Sequence, residues 1–338
     1  MMNGFEAYVN PVFCVIGMIS NLISMAVFYK CKAKESSGSV QYLSVMAVCD
    51  FWNSFRYGFD GWLEFGLEYI TNGHVVINLQ TSSTVVCKIL RFTYDAVTMM
   101  SSWTLVFFSA ERCLAVCWPL KIAGLVTNKG RKISLVILCV IVITLQSKTI
   151  IFYDAFTIRG NGHCYWSPSL GKIIKLSLSI FEKVLLWLLP CFLITVFNAA
   201  IIITILRRRK MLGKMTNKMD AQVMSVAELR CIMNLVGISI VFVVSSLPPT
   251  ILWTYYNYVD LHNSLSAQQI VLDWKKIFRW ANFGDSCMII NYAFNFVIYN
   301  ISLDFYRQTV LGWITCRPRD EKRSSSLDSK TATSNLSC

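Results

Sequence analysis

The sequence predicts an all-α membrane protein, built as a bundle of seven transmembrane helices with a short amphipathic interfacial helix after the seventh span. Hydrophobic residues make up 55% of the 338 residues and charged residues only 15%, whereas soluble proteins are about 25% charged. The apolar residues occur in runs of roughly 20, the length that crosses a bilayer. Basic residues are concentrated in alternate loops between these runs.

Seven apolar runs are the predicted spans. They cover residues 8–29, 40–65, 84–110, 132–153, 178–206, 231–254 and 277–301. The second and seventh are the least apolar, because they contain Asp50 and Asp285, and the seventh also contains several asparagines. Hydropathy alone leaves open whether these two runs cross the membrane.

Basic residues follow the first, third and fifth spans and return in the C-terminal tail. The positive-inside rule makes these segments cytoplasmic. The N-terminus is therefore expected outside and the C-terminus inside, which requires an odd number of spans. The lipid bilayer, with its anionic inner leaflet, is the natural partner of this charge. Nucleic acid is not an expected partner, because the basic residues are divided among separate loops.

The segment 303–315 has apolar residues at helical spacing and suits a helix lying in the membrane interface. Cys316 follows it and is a candidate for palmitoylation. We assign residues 1–316 to one membrane domain. Residues 317–338 are rich in Ser and Thr without apolar periodicity, so a disordered cytoplasmic tail is expected.

Two of the 13 cysteines differ from the rest, which lie mostly inside spans. Cys87 begins the third span, and Cys164 lies in the loop between the fourth and fifth spans. Both are on the predicted outer side, where disulfides persist. We expect them to be bonded to each other, and two free thiols are the alternative.

Short motifs occur in order along the predicted spans. They are Gly17, Ser20-Asn21, Leu43 to Asp50, Cys87, Ser102-Trp103, Glu111-Arg112-Cys113, Pro190, Phe242 to Pro248, Asn291, Asn295 to Tyr299 and Phe305. Taken together, they resemble the rhodopsin-like (class A) G-protein-coupled receptors over residues 8–316. The sequence departs from the family at four switch positions, where Cys113, Asn198, Ser246 and Phe296 replace the usual Tyr, Tyr, Trp and Pro.

This resemblance implies a plasma-membrane receptor that binds an extracellular ligand and activates a heterotrimeric G protein. It also implies arrestin and receptor kinases as partners of the Ser/Thr-rich tail. A transporter would show two similar halves with broken helices, and none are visible. An enzyme is not expected, because none of the three histidines is combined with Asp or Cys at a spacing typical of ligands.

The acid in the second span, Asp50, needs partners inside the membrane. The resemblance places it beside Asn21, Ser101, Asn291 and Asn295, similar to the family's sodium pocket. Hard oxygen ligands suit sodium as an allosteric modulator, and a hydrogen-bonded cluster without an ion is the alternative. The sequence indicates no other cofactor.

The resemblance also gives Arg112 the role of a switch. In the resting form it is expected to pair with Glu111 and with Glu228 at the start of the sixth span. Freeing Arg112 would open a cleft for the G protein, with Pro248 as a pivot. Tyr299 is the final switch residue that this sequence retains. The alternative for Glu228 is a solvated acid.

Charged and aromatic side chains crowd the outer halves of the spans. The candidate ligand-pocket residues are Arg56, Glu64, Arg91, Tyr94, Asp95, Glu182, Lys183, Trp253, Trp280 and Asp285. Tyr94 stands where amine receptors carry an acid, so a monoamine is disfavoured. Each charge has an inter-helix ion pair as its alternative role.

A neuropeptide is the preferred ligand, and a chemosensory or other small-molecule ligand is the alternative. The loop 154–168 has a hairpin pattern, similar to the lids of peptide receptors. The third span resembles invertebrate FMRFamide-like peptide receptors. A cationic ligand group is expected to pair with Asp95, Glu182 or Asp285.

Overall fold

The computed structural model describes residues 4–32, 39–118, 127–158, 161–167, 169–212, 226–262 and 267–315. Cys316 and the tail 317–338 lie outside these residues. Glu228 and Asp285 fall within helices, but their side chains are outside the part that the structure describes.

Seven long helices follow one another in this part of the chain, as the sequence predicts. They are α1 (Asn10–Lys32), α2 (Ser39–Ser54, continuing to Ile70), α3 (Thr84–Cys117), α4 (Asn128–Phe152), α5 (Lys172–Lys183, continuing to Leu212), α6 (Val226–His262) and α7 (Ala267–Ser302). Most of them extend beyond the predicted spans, since a helix does not have to end at the membrane surface.

Four helical stretches are long and apolar enough to cross a membrane by themselves. These are Phe5–Lys30, Asn128–Phe152, Ile173–Arg208 and Leu235–Tyr255. A shorter apolar stretch in α7 covers Cys287–Ile301. The second and seventh helices are less apolar, as predicted, and α3 joins them because charged residues lie near both of its ends.

Three of the described helices contain π-helical turns, and the turn Phe5–Val9 leads directly into α1. In α2 the turns are Phe55–Asp60 and Trp62–Gly66, and in α5 the turn is Val184–Leu188. Pro190 follows the α5 turn and has no N–H to donate, so the helix loses a regular hydrogen bond there. Such turns often occur at functional sites because they redirect the side chains that follow.

The loop between α4 and α5 forms the predicted hairpin. Strand β1 (Tyr153–Ile158) pairs antiparallel with β2 (Asn161–Trp166), with Tyr153 opposite Trp166. The rings of Tyr153 and Trp166 have centroids 4.5 Å apart, and both side chains are buried with Cys87. This small apolar cluster seats the hairpin on the outer end of α3.

The amphipathic helix predicted after the seventh span is α8 (Asp304–Ile314). Tyr306 and Val310, one turn apart, are buried against the bundle, whereas Ile314 is exposed. The hydroxyl of Tyr306 lies 2.7 Å from Ser24 Oγ in α1. The rings of Phe28 and Tyr299 pack on Tyr306, so α8 is held against both α1 and α7.

We predict that Gly58→Ala destabilises the protein, because α1 and α2 touch at this residue. An added Cβ would lie within 3.0 Å of both the backbone and the side chain of Cys14. Overpacking of this kind typically costs about 1–3 kcal/mol. The measurement is thermal unfolding of the purified protein.

Gly61→Ala is the matched control, because nothing lies within 4 Å of a Cβ at that position. It should leave the unfolding temperature unchanged or raise it slightly, since Ala favours helix over Gly. Equal effects of the two substitutions would contradict the close helix contact.

Candidate functional site

A buried carboxylate lies in the middle of the bundle and joins three helices. Asp50 of α2 is 1% exposed. Its Oδ1 accepts a hydrogen bond of 2.8 Å from Ser101 Oγ in α3, and its Oδ2 accepts one of 2.7 Å from Asn295 Nδ2 in α7. Because donors reach both oxygens, hydrogen bonds alone already hold this acid in the apolar interior.

Two other residues of the predicted sodium set, Asn21 and Asn291, lie in the same interior. The amide nitrogen of Asn21 donates to the carbonyl of Tyr292 at 3.1 Å, so it connects α1 with α7. Asn291 is buried in α7. The amide oxygens of Asn21, Asn291 and Asn295 have no hydrogen-bond donor among the described residues. Carboxylate and amide oxygens of this kind are suitable ligands for a small hard cation.

A second buried carboxylate lies near the C-terminal end of α3, remote from the hairpin. Arg131 Nε donates to both oxygens of Glu111, at 2.9 and 2.8 Å. Tyr42 of α2 donates its hydroxyl to Glu111 at 3.1 Å. Arg112 Nη2 lies 3.4 Å from Glu111 Oε1. The expected Glu111–Arg112 pair is therefore present, but Arg131 of α4 makes the shorter contacts.

Sequence reasoning treated Arg131 as one more basic loop residue and did not single out Tyr42. One signal for Arg131 was available: it stands in the first turn of a helix that has no acid there, where the helix dipole disfavours a cation. Tyr42 carries no comparable signal, because its role depends on how α2 packs on α3.

The other predicted switch residues are dispersed. Tyr299 is fully buried, and its hydroxyl has no partner among the described residues. Pro248 lies within α6, beside a second proline. Ser246, which stands in the place of the usual Trp, lies 3.0 Å from the thiol of Cys191 in α5. The remaining predicted switch residue, Glu228, lies in α6 with its side chain outside the described part.

Two more of the unusual residues have neighbours of their own. The ring of Phe296 meets that of Tyr306 edge to face, with centroids 5.9 Å apart. The thiol of Cys113 lies 3.9 Å from that of Cys117, one turn along α3. Asn198 is buried in α5, and its side-chain oxygen has no donor in the described part of the chain.

Beneath the hairpin, four charged side chains form a cluster that joins α3, α4 and α5. Arg91 contacts Asp95 at 3.0 Å and Glu182 at 3.4 Å. Lys148 contacts the second oxygen of Glu182 at 3.3 Å. Arg91 also faces the ring of Tyr153 at 5.3 Å. Burial raises the pKa of the Tyr153 phenol well above its ordinary value, so the ring stays neutral.

This cluster takes up three of the predicted ligand-pocket residues. Asp95 and Glu182 are nearly inaccessible, with side-chain exposures of 3% and 2%. Two cations balance them inside the protein. Glu182 therefore forms inter-helix ion pairs with Arg91 and Lys148, whereas the Arg91–Asp95 pair lies within α3. The ligand-pocket role of these residues stays a prediction.

A different acidic group lies in the C-terminal half of α2, towards the hairpin end of the bundle. Asp60 is buried and accepts hydrogen bonds from Gln80 at 3.0 Å and from Tyr94 at 3.3 Å. Glu64 accepts one from Asn78 at 2.8 Å. In the described part of the chain, neither acid belongs to an ion pair.

Arg56 is the cation nearest to this group, and its guanidinium lies over the rings of Tyr57 and Tyr94, at 4.4 and 4.9 Å. Sequence reasoning identified Glu64 and Tyr94 but missed Asp60. The spacing of Arg56, Asp60 and Glu64, four residues apart, was the available signal, because it places them along one side of a helix.

The remaining pocket candidates lie on α5, α6 and α7. The ammonium of Lys183 lies over the ring of Trp253 at 5.3 Å. Trp280 is 43% exposed, and its ring meets that of Phe283 edge to face. Asp285 is in α7, one residue after Gly284, with its side chain outside the described residues.

The expected covalent bond joins the hairpin to α3. Cys87, near the start of α3, forms a disulfide with Cys164 in β2. A family model described as "7 transmembrane receptor (rhodopsin family)" matches residues 20–289. The chain belongs to this family. A comparison with curated proteins finds no match.

Family membership gives the receptor its general role. Rhodopsin-family members are multi-pass membrane receptors that signal and are not enzymes, and their partners are extracellular ligands and G proteins. Arg112 and Glu111 lie near the α3 end remote from the hairpin. The Cys87–Cys164 bond lies towards the hairpin end, together with the α2 acids Asp60 and Glu64.

We predict that Cys164→Ser loosens the hairpin and lowers both surface expression and stability. Loss of a native disulfide costs about 2–5 kcal/mol in small secreted domains. The measurements are peptide mapping without reduction and thermal unfolding of the purified receptor. Cys139→Ser is the control, because Cys139 is an exposed free thiol. Recovery of Cys87 and Cys164 as free thiols in the unreduced wild type would contradict the bond.

Proposed function

We propose that the receptor binds an extracellular peptide with a basic group and activates a heterotrimeric G protein. The observation that carries the ligand proposal is the acid pair Asp60 and Glu64. Neutral side chains donate to both, and no ion pair neutralises either one within the described residues. Buried carboxylates in this state offer strong charge-assisted hydrogen bonds to an arriving cation.

Further acids strengthen the attraction at this corner. Glu6, before α1, and Glu68, at the outer end of α2, both act electrostatically on Glu64. Arg56 is the opposing cation at Asp60. The local field is therefore net negative, which favours a ligand arginine, lysine or free amine.

This assignment changes the expected position of the ligand cation. Asp95 and Glu182 have Arg91 and Lys148 as partners, so a ligand cation would have to displace them. Asp60 and Glu64 require no such displacement. Asp285 stays a candidate from the sequence, because α7 is the helix that would face this corner in the family.

The hairpin favours a ligand of peptide size. The Cys87–Cys164 bond holds β1 and β2 on the outer end of α3, and such lids are similar to those of peptide receptors. The resemblance of α3 to FMRFamide-like receptors adds an amidated peptide with a terminal arginine as the first class to test. A chemosensory or other small-molecule ligand is the second candidate.

On the inner side we propose that Arg112 contacts the G protein once α6 moves. Glu228 is the proposed second partner of Arg112 in the resting form, and Pro248 is the pivot. Arrestin and receptor kinases would bind the Ser/Thr-rich tail, and Cys316 would carry palmitate. The proposed location is the plasma membrane, with the N-terminus outside.

The experiment that tests this function is a peptide-library screen in cells that express the receptor. Calcium and cyclic AMP are read together, so that different G-protein classes are all detected. The library includes amidated basic peptides, acidic peptides and small amines. Activation by a basic peptide supports the proposal, and selective activation by an acidic ligand would contradict it.

We predict that Asp60→Asn or Glu64→Gln weakens a basic agonist by more than tenfold, which is about 1.4 kcal/mol. The measurement is agonist potency at matched surface expression. Glu68→Gln removes the same charge from an exposed position and should have a smaller effect. Unchanged potency in both test variants would exclude these acids and leave Asp285 as the candidate.

We also propose that sodium binds at Asp50, with oxygens of Asn21, Ser101, Asn291 and Asn295 as its other ligands. Asp50→Asn is expected to abolish any effect of sodium on agonist affinity and to reduce signalling. Affinity is measured in sodium and in a large organic cation at equal ionic strength. Equal wild-type affinities in the two salts would show that the cluster acts through hydrogen bonds only.

A further inference from the structure

Glu111 is surrounded by more positive charge than its own pair with Arg112 supplies. Arg131 Nε lies 2.9 and 2.8 Å from its two oxygens, whereas Arg112 Nη2 lies 3.4 Å from one of them. Glu111 and Arg131 are both largely buried, with side-chain exposures of 8% and 13%. One carboxylate thus faces two guanidinium groups, and the group from α4 is the closer.

The position of Arg131 in its own helix does not explain why a cation is there. Arg131 stands in the first turn of α4, next to Lys129 and Lys132, and no acid accompanies them. The positive end of a helix dipole disfavours all three. Its Nη1 bonds to Asn128 at 2.9 Å, which fixes the guanidinium so that its Nε points at Glu111.

The contacts of Glu111 continue into α2. Tyr42 donates its hydroxyl to Glu111 Oε2 at 3.1 Å, and its ring stacks on Phe108 with centroids 5.8 Å apart. Phe108 in turn lies under the guanidinium of Arg112, at 5.6 Å. Glu111 therefore ties α2, α3 and α4 together at the same place where it meets Arg112.

We propose that Arg131 is a positioning residue that competes with Arg112 for Glu111. By neutralising the carboxylate, Arg131 weakens the hold of Glu111 on Arg112 and lowers the barrier to its release. This inference rests on the proposed coupling of Arg112 to a G protein. Without Arg131, both oxygens of Glu111 become accessible to Arg112, and the resting form is favoured.

The competition has a signature that a purely structural role lacks. Arg131→Gln is expected to reduce agonist-independent activity, whereas Glu111→Gln raises it because Glu111 then no longer holds Arg112. Arg131→Lys keeps the charge and should retain most of the wild-type activity. Lys132→Gln removes one charge from the neighbouring exposed position and should have no effect.

The first test is a double-mutant cycle on the unfolding temperature of the purified receptor. Arg131→Gln is expected to lower this temperature by about 3 °C. In the Glu111→Gln background most of that loss should disappear. The same cycle with Arg112→Gln should give a smaller coupling. Additive effects of Glu111→Gln and Arg131→Gln, or a larger coupling with Arg112, would overturn the proposal.

The second test measures nucleotide exchange on a panel of Gα proteins without agonist, using the full receptor in lipid nanodiscs. The proposal requires exchange to fall at least twofold in Arg131→Gln, to persist in Arg131→Lys and Lys132→Gln, and to rise in Glu111→Gln. Unchanged or raised exchange in Arg131→Gln overturns it. If neither the wild type nor Glu111→Gln stimulates any Gα, the proposed function fails, and the thermal cycle alone decides the Glu111–Arg131 contact.

Discussion

A carboxylate buried in a low-dielectric helix bundle must be given hydrogen bonds or an opposite charge, because an unpaired ion there costs several kcal/mol. Asp50 shows this constraint at the centre of the receptor. Ser101 and Asn295 donate to its two oxygens from α3 and α7. Asp50 thus holds α2, α3 and α7 together. These three helices are less apolar than a typical membrane span, and Asp50 itself makes α2 polar.

The kind of partner that a buried acid has differs along the length of the bundle, and it indicates the role of that acid. Near the hairpin, Glu182 has two cations and nothing left to offer a ligand. Asp60, in the same half, accepts hydrogen bonds only from neutral side chains among the described residues. At the inner end, Glu111 is shared between Arg131 and Arg112. We therefore propose that the saturated acid stabilises the bundle, that the acid with neutral donors recognises the ligand and that the shared acid takes part in switching.

Much of the architecture could be predicted from the sequence because it depends on local patterns. Apolar runs and basic loops predicted the helices, and spacing within 303–315 predicted α8. Side-chain partners were harder, because they depend on how distant helices pack. Arg131 of α4 meets Glu111 of α3, and the hydrogen-bond donors of Asp60 come from Gln80 and Tyr94, which lie outside its own helix. The family's usual motif also pairs Glu111 with Arg112, so it gave no indication that Arg131 lies closer to Glu111.

Some buried acids and bases are thus proposed to stabilise the bundle, and others are proposed to transmit a signal. One paired measurement tests this division. Unfolding temperature and Gα nucleotide exchange are measured on the same nanodisc samples of Glu182→Gln and Arg112→Gln. We predict that Glu182→Gln lowers the unfolding temperature, because Lys148 then loses its buried anion and Arg91 loses one of its two, while the folded fraction still promotes exchange. Arg112→Gln should unfold close to the wild-type temperature and promote no exchange. Parallel loss of stability and exchange in both variants would contradict the division.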